Sequence, residues 1–412
     1  MGEHMAGIEV EMTGMIYGGD AIGRLPDGRA VFVPFALPGE RVLVELVEEK
    51  RGHARARLLE VLSPADGRIA PRCRHFGICG GCHYQNMDYA HQLETKTNIL
   101  KDQFMRIAGI KDAPIVAMVP SPSPWNYRNA VQFHLTPEGK LGYQAASSHQ
   151  VVAISECHLP EVELNETWPL LDLEPIPGLE RLGLRIGAEE DILLTLESSD
   201  PKPPELLVEL PLSVVYLGPN GATVLAGEDS TLMEVLGRPF RVNAESFFQV
   251  NTAQAGAMVE YLLANLPMST TDTLLDVYCG VGLFSAFLAP KVARCIGIEI
   301  EPAACEDFAA NLDEYENVEL YEGMAEEILP GLNVQARVVV VDPPRSGLDR
   351  KALDAIVAMK PDLLAYVSCD PATLARDAGR ILAGGYSLEK VTPFDLFPQT
   401  YHIESISIFK RS

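Results

Sequence analysis

Cys369 is the residue in this chain best placed to act as a nucleophile. It lies in the run Leu363–Ala375, LLAYVSCDPATLA. Apolar residues lead up to it, and Ser368, Asp370 and Pro371 stop the strand that they predict. The thiol therefore falls at the carboxyl edge of a sheet, where open α/β folds gather their chemistry. A cysteine used only for packing more often sits inside the apolar run. A thiolate at such an edge attacks electrophilic carbon.

Two further motifs supply what a nucleophile needs. The loop Asp276-Val-Tyr-Cys-Gly280-Val-Gly282-Leu-Phe284 follows an apolar strand and opens a helix, and its glycines let a ligand approach the backbone closely. Glu299 closes the next predicted strand, where a carboxylate accepts hydrogen bonds from both ribose hydroxyls. The loop is not G-x-G-x-x-G and has no P-loop lysine. Adenosine without a pyrophosphate fits best, which means S-adenosylmethionine rather than NAD. Asp342-Pro-Pro-Arg345-Ser-Gly347 is a rigid turn at another strand end, so Asp342 and Cys369 are expected to line one crevice. Glu404 begins the last strand, in His402-Ile-Glu404-Ser. Near the crevice it would serve as a general base; elsewhere it would be an ordinary exposed carboxylate. His402 is equally ambiguous.

A third group is Cys73-x5-Cys79-Gly-Gly-Cys82, with Cys157 far downstream. Three close thiols and one remote match four-cysteine ligation of an iron–sulfur cluster. Zinc is the main competitor, but its sites usually pair two C-x2-C knuckles and only one is present here. [4Fe-4S] is therefore the expected group. Cys279, Cys295 and Cys305 fall in the nucleotide-type region. Two aromatic and polar stretches, Tyr127–Phe133 and Ala244–Asn251, are suited to stacking or orienting a base, with core packing the alternative for Phe247 and Phe248.

The elements that must position these groups fall into three parts. Residues 1–64 read as short strands with glycine turns, a small closed barrel of oligonucleotide-binding type. Residues 65–242 hold the cysteines, a helix over 91–108 and a β-rich central domain. Residues 243–412 alternate helix and strand, beginning with a helix over Thr252–Asn265, and predict a doubly wound sheet. The chain has 57 acidic and 33 basic side chains, a formal charge of −24, which on its own argues against a nucleic-acid partner. The stretch Lys50–Arg74 reverses this locally, with seven Lys and Arg against Glu60 and Asp66, and its place beside the cysteines favours contact with a polyanion. No apolar run is long enough to span a membrane, and the amino terminus shows no secretory pattern, so a cytoplasmic location is expected; the chain is separately expected to be a monomer.

Taken in order, C-x5-CGGC, FFQVN at 247–251, LDVYCGVGLFS at 275–285, DPPRSGL at 342–348, SCDPATLARD at 368–377 and HIES at 402–405 resemble the RNA (uracil-5-)-methyltransferases. The resemblance covers nearly the whole chain. It implies a Rossmann-like α/β methyltransferase domain, an N-terminal barrel of TRAM type and a β-rich central domain. It is strongest toward the branch that modifies 23S ribosomal RNA, with transfer RNA as the alternative substrate. It further implies that Gln249, Tyr278, Glu299 and Asp342 bind S-adenosylmethionine, that Cys369 is the nucleophile and Glu404 the base, and that Cys73, Cys79, Cys82 and Cys157 hold [4Fe-4S]. Leu283 departs from relatives that carry a polar residue there. Two rival readings are a cytosine-5 methyltransferase, which relies on a second cysteine where this chain offers Glu404, and a non-catalytic iron–sulfur RNA-binding protein.

Overall fold

The computed structural model describes residues 7–146, 148–171, 176–205, 208 and 210–412. Residues 1–6, which the sequence reading includes in the barrel, lie outside the described residues. Strands β1 (Ile8–Met15), β2 (Asp20–Arg24), β3 (Ala30–Pro34), β4 (Arg41–Glu49) and β5 (His53–Ser63) close a barrel in the order β1-β2-β3-β5-β4. Alternate residues point inward, as the two-residue repeat of a strand requires. Val31 and Val33, Val42 and Val44, and Ala54 and Ala56 are all buried in its core.

The barrel changes the meaning of the basic stretch. Lys50 pairs with Glu48 at 2.8 Å, Arg55 with Asp20 at 3.3 Å and Arg74 with Glu156 at 3.2 Å, while Arg57 meets Glu45 and Arg68 meets the buried Glu40. Arg72 lies over the Trp125 ring, 5.3 Å from its centroid. Five of the seven cations thus have carboxylate partners. The local positive field is much weaker than the sequence count suggests, because most of the acids that cancel it come from outside the stretch.

Helix α1 (Tyr89–Gln103) follows the cysteine segment and is capped by Asp88, which accepts from His91 N at 3.0 Å. A seven-stranded sheet then runs β12-β11-β10-β9-β6-β7-β8, from β6 (Ala130–Leu135), β7 (Leu141–Gln144), β8 (Val151–Ala153), β9 (Leu179–Ile186), β10 (Ile192–Ser198), β11 (Leu212–Gly218) and β12 (Gly221–Ala226). Helix α2 (Val162–Thr167) packs on it through Leu164. A hairpin, β13 (Ser230–Val235) with β14 (Arg238–Asn243), leads to the last unit.

That unit is a seven-stranded sheet ordered β17-β16-β15-β18-β19-β21-β20. Its strands are β15 (Thr273–Val277), β16 (Arg294–Glu299), β17 (Val318–Glu322), β18 (Val338–Val341), β19 (Leu363–Ser368), β20 (Tyr386–Phe394) and β21 (Glu404–Arg411). The first five are parallel, while β21 runs antiparallel to both β19 and β20. Both faces are covered. Val338 and Val340 share one core with α3 (Thr252–Asn265), α4 (Leu283–Leu288) and α5 (Pro302–Asn311). Val339 and Val341 share the other with α6 (Ala325–Ile328), α7 (Arg350–Met359) and α8 (Pro371–Ala383). Burial on both faces is why β18 reads as an unbroken Val run rather than an alternation. Leu100 and Phe104, at the end of α1 and just beyond it, belong to this second core. The helix that follows the cysteines is therefore packed on this sheet. No helix among the described residues is long and apolar enough to cross a membrane.

Candidate active site and cysteine cavity

The strand order brings the chemistry to one edge. Cys369 directly follows β19 and Asp342 directly follows β18, its parallel neighbour. On the other side of β19, β21 pairs Ser405 with Ser368, so Glu404 stands opposite Cys369 at the next step of the ladder. Asp370 caps α8, accepting from Ala372 N at 3.0 Å and Thr373 N at 2.9 Å, which fixes the turn that presents the thiol.

The electrostatics are those of a crowded, partly desolvated acid cluster. Burial pushes the Cys369 thiol up to about 12, and the charges of Glu404 and Asp342 add to the rise while Arg345 opposes it. Glu404 is buried and held well above the usual carboxylate range by that burial, with Asp342 adding and Arg345 again opposing. Asp342 is pushed up to about 7 by burial and by the charges of Asp276 and Glu299. Each carboxyl disfavours ionisation of the next. A cation entering the cluster reverses this, because it favours every ionised form at once.

Beside this edge lies a cavity of about 540 Å³ whose walls include Tyr278, Glu299, Ile300, Met324 and Pro344. The glycine loop contributes Tyr278 to its wall. Gly282 has φ of 90°, and a Cβ there would come within 2.4 Å of Leu312, so no other residue fits without displacing α5's end. Tyr278 itself adopts φ of 63°. The Glu299 carboxylate accepts from Gly280 N and Ile300 N, both at 2.8 Å, and from Glu301 N at 3.0 Å. It braces the loop while facing the cavity. Asp342 and Gln249 are not among the lining residues. Gln249 is buried ahead of α3, where its carbonyl accepts from Asn129 Nδ2 at 3.0 Å. The two phenylalanines before it divide: Phe248 is buried, whereas Phe247 is 71% exposed.

Cys73, Cys79, Cys82 and Cys157 line a second cavity of about 290 Å³ with Arg128 and His402. His75 N points to Cys73 Sγ and Gly81 N to Cys79 Sγ, both at 3.4 Å. Burial raises all four thiols, Cys82 to about 12. Among the described residues no three His, Cys, Asp or Glu converge closely enough to hold a single metal ion. Even so, four sulfur donors around one cavity, two with N–H groups aimed at them and a guanidinium alongside, form a donor set suited to a soft anionic centre. His402 is pushed down to about 3 by burial and by the surrounding cations Arg345, Arg128 and Lys96 together with His83, so its imidazole is neutral.

Comparison with known proteins decides the family. The model of the tRNA (Uracil-5-)-methyltransferase family matches residues 230–412, and that of the TRAM domain matches residues 7–59. An RNA methyltransferase of Thermosynechococcus vestitus is 35% identical over 99% of this chain and 98% of its own length. One of Halalkalibacterium halodurans is 31% identical over 98% and 96%. This chain belongs to the RNA (uracil-5-)-methyltransferase family. The fold agrees: the Pyrococcus abyssi tRNA (uracil-54, C5)-methyltransferase, solved with S-adenosyl-L-homocysteine, superposes with a TM-score of 0.74 over 97% of this chain and 100% of that one, at 23% identity.

This RNA (uracil-5-)-methyltransferase is thus S-adenosylmethionine-dependent and carries an N-terminal TRAM barrel. Several groups now beside the candidate chemistry had no assigned role in the sequence. Arg345 is the cation that opposes the acid cluster, Asp276 adds to it, and Arg128 stands in the cysteine cavity. The one signal for Arg345 was its fixed distance from Asp342 across a Pro-Pro turn. Replacing Glu299 with alanine is expected to weaken S-adenosylhomocysteine binding by about 10- to 100-fold, the worth of one or two charge-assisted hydrogen bonds. Calorimetric titration checks this, and an unchanged Kd would remove Glu299 from the cofactor site.

Proposed function

We propose that this enzyme methylates C5 of a uridine in 23S ribosomal RNA through a covalent adduct between Cys369 and C6. The observation that carries the mechanism is the placement of Cys369 and Glu404 opposite one another across β19 and β21, with Asp342 on the neighbouring strand.

Uracil C5 is too weak a nucleophile to take a methyl group directly. Attack of the Cys369 thiolate forms the S–C6 bond and drives the C5=C6 pair toward O4, leaving C5 enolate-like. C5 then displaces S-adenosylhomocysteine from the sulfonium methyl. Glu404 takes the C5 proton, the C5=C6 double bond re-forms, and the S–C6 bond breaks to return the thiolate. The sulfonium enters the acid cluster as a cation, which favours both the Cys369 thiolate and the Glu404 carboxylate. Tyr278 and Glu299 hold the adenosine end of the donor, and Asp342 and Gln249 contact the donor or base nearer the reacting carbon. A paired uridine cannot reach the edge of the sheet, so the target is flipped out or lies in a loop. Phe247, large, aromatic and exposed, is suited to replace its lost stacking.

Cys73, Cys79, Cys82 and Cys157 hold a [4Fe-4S] cluster, which shapes the surrounding surface and takes no part in the methyl transfer. Protein purified without oxygen is expected to contain about four iron and four acid-labile sulfide per chain. Colourless protein with one zinc per chain would defeat this assignment.

The 23S substrate is supported by the combination of TRAM barrel and cysteine cluster, and transfer RNA by the fold shared with the Pyrococcus enzyme. Mass mapping of 5-methyluridine in both RNAs, with and without the gene, separates them. Loss of a 23S site supports the proposal, and loss of a transfer-RNA site alone overturns the substrate while leaving the chemistry.

A further inference from the structure

The peptide between β20 and β21, residues 395–403, ends at Glu404, yet much of its anchoring comes from outside the catalytic sheet. Lys96 of α1 donates through Nζ to Asp395 Oδ1 at 2.6 Å and to the Phe397 carbonyl at 3.0 Å. Both side chains of this ion pair are fully buried. One turn earlier, Gln92 makes a reciprocal pair with Gln399. Its Nε2 donates to Gln399 Oε1 and its Oε1 accepts from Gln399 N, both at 3.0 Å. His83 N and Tyr84 N donate to the Gln399 carbonyl at 2.8 and 3.0 Å, and Tyr127 OH donates to that of Pro398 at 3.0 Å.

Two features show that this seam fixes a conformation rather than merely adding stability. Gln399 is held at φ of 70°, a region a non-glycine residue avoids unless its surroundings impose it. A buried ion pair is also a poor way to stabilise a fold, since desolvation offsets most of the attraction and apolar residues of similar volume do as well. What a Lys–Asp pair adds is a unique arrangement. Here it joins α1, itself packed on the catalytic sheet through Leu100, to the start of the segment that leads to Glu404.

We infer that Lys96 and Gln92 are positioning residues that set Glu404 relative to the methylated C5, so that α1 controls proton removal without touching the substrate. The inference rests on Glu404 being the base. Loss of the seam leaves Cys369 and the cofactor loop in place, because their own strands hold them, whereas Glu404, the first residue of β21, is set by that end of the ladder together with the segment that leads into it.

The test compares wild-type enzyme, Lys96→Met, Lys96→Met with Asp395→Leu, and Glu404→Gln, all as full chains. The double variant removes both charges and keeps the site filled, so it separates positioning from the cost of an orphaned buried carboxylate. Single-turnover transfer of labelled methyl to RNA reports the steps before deprotonation. Release of tritium from RNA carrying 5-tritiated uridine reports the step at Glu404. Circular dichroism establishes that each variant is folded. The expected result is methyl transfer near the wild-type rate in the double variant, tritium release slowed about 10- to 100-fold, and a denaturation-resistant RNA–protein complex. A folded double variant that releases tritium like wild type overturns the inference, as does equal slowing of both steps. If Glu404→Gln itself releases tritium at the wild-type rate, the base assignment fails and the inference with it. If Glu404→Gln traps the adduct while the double variant turns over normally, only the inference fails.

Discussion

Cys369→Ala is expected to lose at least about 10⁴-fold in methyl transfer, the scale on which single catalytic nucleophiles fail, and to form no complex with RNA containing 5-fluorouridine. Wild-type enzyme should form that complex and keep it, because fluorine at C5 cannot leave as a proton and the adduct has no forward path. The fold has little reason to suffer. The thiol is only partly buried at a strand end, and the Asp370 cap of α8 is made by a carboxylate that does not depend on it. Cofactor affinity should be unchanged, since the cavity walls do not include Cys369. Retention of the fluorouridine complex by the alanine variant, seen on a denaturing gel, would show that another group attacks C6.

The position of this thiol was readable because β19 is buried on both faces. Its apolar run had to stop where the sheet stops, and Ser-Cys-Asp-Pro marks that place. The glycine loop was readable for a similar local reason, since Gly282 faces Leu312 at a distance only a missing side chain allows. The long apolar helix α3 follows its sequence boundaries for the same kind of reason.

What the sequence left obscure depends on residues distant along the chain. Glu404 looks like an ordinary surface acid until β21 is inserted between β19 and β20. Strand β20 is hard to read from the sequence because it is an edge strand that carries Glu389, Lys390 and Pro393 and has an irregular register near Leu388. The charge reversal at Lys50–Arg74 was real in composition and largely cancelled in space, since Asp20, Glu40, Glu45 and Glu156 reach it from outside the stretch. Charge counts along a chain overstate a field whenever folding supplies partners from outside the window. The docking of α1 on the catalytic sheet could not be read at all, because an amphipathic pattern does not name the surface it covers.

Glu404→Gln should stop the reaction one step later than Cys369→Ala, and the difference is the strongest evidence available for the order of events. The amide cannot accept the C5 proton, so with ordinary uridine RNA the methylated adduct accumulates. It should be seen as a denaturation-resistant complex carrying label from the methyl donor. Its turnover should fall by about 10²- to 10⁴-fold, the range a positioned general base supplies. The substitution also has a second, opposite effect on Cys369. In the wild type the Glu404 charge is one of the causes that raise the thiol to about 12. Removing that charge favours the thiolate, so alkylation of Cys369, followed by peptide mass, should titrate at lower pH in the variant. The sign follows from the like charges alone, and the shift appears only where Glu404 would have been ionised, because burial and Asp342 hold its own proton well above the usual range. A variant with an easier thiolate and a stalled product is not a generally damaged enzyme. Faster alkylation together with adduct accumulation can arise only if Glu404 faces both the thiol and the proton that must leave. Turnover at the wild-type rate would remove Glu404 from the mechanism, whatever happened to the thiol.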